Sequence, residues 1–155
     1  MSNQGDPNQR RNWMGLLARS RPETLAALWR DFTCNRAGLE EAAITWLRKP
    51  ETGTVMVRGR AGAVGEAFNL GEMTVTRASL RLPCGAVGHA YVQGRDREKA
   101  RIAALVDALM AGPHADHARK AILAPLATIE TEARTARASR AAATQVDFFT
   151  MVRGE

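Results

Sequence analysis

The chain has 155 residues, 45% of them hydrophobic and 25% charged, with a formal net charge of +6 and a pI near 10.3. That length suits one domain of ordinary size, and the composition excludes disorder of the whole chain. Cys34 and Cys84 lie far apart with no neighbouring ligand pattern, which argues against a disulfide framework or a zinc site, and the polar start and lack of a long apolar run argue against export or a membrane anchor. A cytoplasmic protein with reduced thiols is expected.

Residues 1–8 read as a disordered lead. Arg10 to Ala18 carries Trp13, Leu16 and Leu17 at helical spacing, and Ser20-Arg21-Pro22-Glu23 reads as a capping box that opens a second helix through Leu25, Leu28, Trp29 and Phe32. From Ala42 to Arg60 the period changes, and Pro50-Glu51-Thr52-Gly53 supplies turn chemistry for a hairpin. Gly59-Arg60-Ala61-Gly62-Ala63-Val64-Gly65-Glu66 has the glycine content of a phosphate loop. It is followed by strand-like sequence and no helix, so a turn or bulge between strands is the better reading. Thr74–Leu82 and Ala86–Gly94 complete an antiparallel sheet of about four strands. Helical spacing returns with Ile102, Leu105, Val106 and Leu109, again with Ile122, Leu126 and Ile129, and an Ala/Arg-rich helix follows. The expected fold class is α+β, with helices at both ends of a single domain spanning 9–145.

Candidate chemistry centres on the third and fourth strands. Arg77 and Arg81 share a strand face with Ser79, where two guanidiniums suit a phosphate or a partner's carboxylate, or else form part of a solvated sheet face. His89 is the histidine nearest that face. Arg95 precedes Asp96, a natural N-cap, at a helix start where an anion can sit. His114 and His117 flank Asp116 without a third ligand, so no metal site is expected. No nucleophile, base and acid stand in a recognisable catalytic pattern, and no catalytic residue is assigned. Basic residues are not interleaved with aromatics, which argues against nucleic acid as a partner, although a freestanding nucleotide- or nucleic-acid-binding domain using the Arg77 and Arg81 face is the alternative reading.

The chain closes on Val146-Asp147-Phe148-Phe149-Thr150-Met151-Val152-Arg153-Gly154-Glu155, an alternating segment with apolar groups on both faces. Aromatics are 5% of the chain, so its core is thin and two of its four phenylalanines stand in this tail. Two readings stand. The tail folds back as a terminal strand, or Phe148, Phe149, Met151, Val152 and Arg153 form a docking arm for a partner.

Trp13-Met14, Gly71-Glu-Met-Thr-Val-Thr-Arg77, Gly88-His-Ala-Tyr-Val-Gln-Gly-Arg-Asp96, Asp107-Ala-Leu109 and the terminal motif, in this order and spacing, closely resemble the PhnG family. That family is the small subunit of bacterial carbon-phosphorus lyase. The resemblance implies an accessory, noncatalytic subunit in a hetero-oligomer with larger core subunits. In that pathway the complex exchanges the adenine of ATP, taken with Mg, for a phosphonate such as methylphosphonate, giving a ribose 1-phosphonate 5-triphosphate. No cofactor is implied in this chain, which lacks the cysteines of an iron-sulfur centre.

Overall fold

The computed structural model of the chain describes residues 7–34, 43–62 and 64–144. Two helices, α1 (Pro7–Arg19) and α2 (Pro22–Thr33), precede three strands, β1 (Thr45–Arg60), β2 (Ala67–Arg81) and β3 (Val87–Gln93). A central helix α3 (Arg97–Met110), a short turn α4 (Ala115–Ala118), a π-helical turn Arg119–Leu123 and a long helix α5 (Ala124–Ala142) follow. The α+β class and the helices on both sides of the sheet segment match the reading of the sequence. The expected tail, 146–155, and most of the expected disordered lead lie outside the described residues, while α1 begins at Pro7.

The sheet is antiparallel with strand order β1-β2-β3, three strands among the described residues where about four were expected. Pro50–Gly53 is not a turn. It lies inside β1, where the pairing with β2 shifts register between Trp46 and Arg48 and again between Arg48 and Glu51. β1 is an edge strand, and at an edge or bulge a proline removes no necessary ladder bond. The reversal comes later, in the glycine-rich segment 61–66, where Gly62 takes a left-handed φ of 57°. The expected capping box is also replaced by a different bond. Ser20 Oγ donates to the Leu17 carbonyl at 2.8 Å, closing the end of α1. The N-cap of α2 is Arg21, which makes no side-chain cap. Pro22 needs no amide partner at the first helical position, so the serine is free to serve the preceding helix.

One sheet face is covered. Even-numbered residues of β2 and β3, among them Ala78, Leu80, Ala90 and Val92, are buried beneath α3 with Leu16, Leu17, Leu25, Trp29 and Phe32 of the first two helices. The rings of Trp29 and Phe32 stack at 5.8 Å between centroids. From Ile102 to Met110 every residue of α3 is buried, which explains a helix rich in alanine and apolar all round. Gly88 permits its closest contact, since a Cβ there would lie 2.5 Å from the Ala108 amide nitrogen and 2.7 Å from Ala108 Cβ. Pro125 at the start of α5 cannot donate to the turn before it, and the chain relaxes into the wider π-helical turn ahead of it.

Candidate functional sites

The other sheet face is open. The register places Glu51, Arg77 and Tyr91 side by side, then Arg48, Ser79 and His89, then Thr45, Arg81 and Val87. Paired residues share a face, so Arg77, Arg81 and His89 do lie on one surface. Four residues of extended strand separate the two arginines by about 13 Å along β2. Arg77 Nε donates to Glu51 Oε1 at 2.8 Å, and Arg48 binds the same carboxylate. These two guanidiniums hold the Glu51 carboxyl below the usual carboxylate range, the hydrogen bond from Arg48 contributing most. Ser79 Oγ and His89 Nδ1 stand 2.9 Å apart between the arginines. Arg81 has no side-chain partner among the described residues, and Arg95 is exposed in the turn between β3 and α3, away from this row. The Glu51 contact was hidden because residues 50–53 read as a turn.

A second polar constellation lies under the sheet. Asp107 is fully buried. Its carboxylate accepts from Arg10 Nη2 at 2.7 Å and Nε at 3.2 Å, from Trp13 Nε1 at 2.8 Å and from the His89 backbone amide at 2.8 Å. The Asp107 hydrogen bond raises the Arg10 pKa above its ordinary value. This cluster joins α1, β3 and α3, and it gathers Trp13, His89 and Asp107, residues from three of the segments that carry the family resemblance. A buried carboxylate with four donors around it has little capacity left for an incoming group, so its work is to lock the three elements together. Nearby, Lys99 Nζ donates to the Ala18 carbonyl at 2.7 Å near the end of α1, with the favourable sign for a helix C-terminus.

The β1–β2 hairpin extends well beyond β3. Only Val75–Arg81 of β2 pair with β3, whereas Val55–Arg60 and Ala67–Met73 pair with each other alone. On this arm Val55 lies opposite Met73 and Gly59 opposite Phe68, and Leu70 covers the Cα of Gly59. Phe68 is 46% and Leu70 63% exposed. Met56 projects from the other face, also exposed. A two-stranded ribbon with uncovered apolar side chains is marginal alone and suits a protein partner.

Among the described residues no group of three His, Cys, Asp or Glu side chains is arranged to hold a metal ion, and no helix is long and apolar enough to cross a membrane. Residues 8–154 match the family described as "Phosphonate metabolism protein PhnG". The chain is also 43% identical over 147 residues, 95% of its own length and 90% of the relative's, to the "Alpha-D-ribose 1-methylphosphonate 5-triphosphate synthase subunit PhnG" of Rhizobium meliloti (strain 1021).

Proposed function

Since the chain belongs to the PhnG family, we propose that it is an accessory subunit of a synthase that makes alpha-D-ribose 1-methylphosphonate 5-triphosphate from ATP and methylphosphonate, releasing adenine. The relative's name supplies the product, the substrates and the released adenine follow from the family resemblance, and the observation that supports an accessory role is the projecting hairpin with Phe68 and Leu70 bared on it. Larger core subunits of the same cytoplasmic assembly are the partners, with ATP and its Mg the substrate of the complex and no cofactor held in this chain. The open face of Arg77, Arg81 and His89 meets either a partner carboxylate or the substrate's phosphates, and the terminal residues Phe148, Phe149, Met151, Val152 and Arg153 add a second docking element. Each large apolar side chain buried on assembly contributes about 1.5–3 kcal/mol, so two lost from the hairpin weaken an interface by roughly two to four powers of ten.

Co-purification with tagged large subunits tests this. Phe68→Ser/Leu70→Ser is expected to retain the circular dichroism of the parent, because neither side chain enters the core, while losing recovery with the large subunits. Undiminished recovery and undiminished ATP-dependent adenine release in that variant overturn the hairpin as the docking element.

A further inference from the structure

A cleft of about 550 Å³ runs between the α1–α2 corner and α5. Four arginines line it, Arg19 and Arg21 from the corner and Arg134 and Arg137 from the long helix. Glu130 is the one carboxylate in the lining. Arg19 Nε and Nη2 grip it at 2.5 and 3.2 Å, and this hydrogen bond, with smaller help from the charge of Arg134, lowers its pKa. Four positive charges against one negative leave an excess of three. The side chains of Arg21 and Arg137 have no partner among the described residues. Of the apolar residues along the cleft, Leu16 and Leu126 are buried in the core, and Ile129 presents an open side chain at 45% exposure.

We propose that this cleft binds the triphosphate of a nucleotide or ribose 5-triphosphate. Arg134 and Arg137 are one helical turn apart, a spacing at which like charges repel, and Arg21 approaches them from a different helix. An anion with three or more charges removes that repulsion and matches the excess. Guanidinium forks engage phosphate oxygens two at a time, which favours polyphosphate over a single charge. The volume falls in the range of small-molecule sites, and the exposed Ile129 side chain offers an apolar contact for the sugar or base. The first turn of α2 forms part of one wall, and its arginine N-cap gives no side-chain acceptor. A helix start alone would not make a site; here it adds partial positive charge to a wall the arginines already build. The choice of a ribose-linked triphosphate rests on the reaction proposed above, whereas the preference for polyphosphate rests on the cleft alone.

Isothermal titration of the full chain with inorganic tripolyphosphate, ATP and AMP separates these points. Tripolyphosphate and ATP are expected to bind, AMP at least about 10-fold more weakly. Arg134→Gln/Arg137→Gln is expected to weaken tripolyphosphate binding by about 100-fold, and Arg21→Gln, on the opposite wall, by about 10-fold. Lys120→Gln, which removes one exposed charge outside the cleft, should change it less than about 3-fold. ATP binding tighter than tripolyphosphate identifies a nucleotide ligand, and equal affinity identifies a site for the polyphosphate chain itself; both support the cleft. Equal losses in the Lys120 and arginine variants, or none in either arginine variant with helical circular dichroism intact, overturn it. Recovery of large subunits with Arg134→Gln/Arg137→Gln should be normal, so failure of the docking proposal and failure of this one give different results.

Discussion

Replacing Asp107 with leucine shows what the buried carboxylate contributes. The two side chains are close in size, so the change removes acceptors without opening a large cavity. The Trp13 indole and the His89 amide then lose their partner, having donated at 2.8 Å each. A fully buried donor left unsatisfied costs about 1–3 kcal/mol, so about 2–6 kcal/mol is the ceiling for the two, Trp13 being half-buried and His89 exposed as a residue. Arg10 adds little, since its side chain is 39% exposed and can return to water, leaving at most about 1 kcal/mol. Against this stands the relief of no longer burying a charge, which returns part of the loss. A net destabilisation near 3 kcal/mol is expected, and at roughly 2–4 °C per kcal/mol for a chain of this size the thermal midpoint should fall by about 6–12 °C. Urea unfolding of the full chain, followed by circular dichroism, measures the same loss as a lower midpoint with an unchanged slope. Asp107→Asn keeps one oxygen and should fall between parent and leucine. A leucine variant within about 1 kcal/mol of the parent would refute the reasoning, because the four hydrogen bonds would then do no more than offset the carboxylate's desolvation.

Gly88→Ala should destabilise by about 1–3 kcal/mol, because the new methyl group meets the α3 backbone at Ala108 and the helix must retreat from β3. Gly53→Ala, where nothing lies within 4 Å, serves as the comparison and should be nearly neutral; equal urea midpoints for the two would show that α3 does not rest on Gly88. Burial, more than its acidic neighbours, sets the direction for Lys99, whose pKa is lowered from 10.5. Between the lowered folded value and 10.5 the unfolded chain binds more protons, so this group makes stability rise with pH across that window. Lys99→Met should abolish that rise in urea midpoints measured at increasing alkaline pH, and parallel curves for parent and variant would exclude Lys99 as its source.

The elements legible in the sequence are those whose period settles them. Leu25, Trp29 and Phe32 on α2, and Ile102, Leu105, Val106 and Leu109 on α3, repeat at helical spacing and all enter the core. Thr74–Leu82 and Ala86–Gly94 read as paired strands, and β2 and β3 pair there. The misread segments are those where one local signal had two uses. Pro50 and Gly53 suit a tight turn and equally a bulged edge strand, and only the long partner β2 on the other side decides for the strand. Ser20 suits a cap for α2 and equally a bond back to α1, and the Leu17 carbonyl is the one within reach.

For the candidate sites the division is similar. Period two was enough to put Arg77 and Arg81 on one face with Ser79, because side chains alternate along any strand. Pairing Arg77 with Glu51, His89 with Ser79, and Asp107 with Arg10 and Trp13 was beyond the sequence, since such contacts cross 10 to 97 positions of chain. The same holds for the arginine cleft, where Arg21 and Arg137 stand at opposite ends of the chain. Composition, helical period and strand alternation are local properties, so the sequence by itself determined the α+β class and which faces are apolar. Which charges converge, which carboxylate is buried and how far the hairpin projects depend on how distant elements pack, and only the tertiary structure decided them.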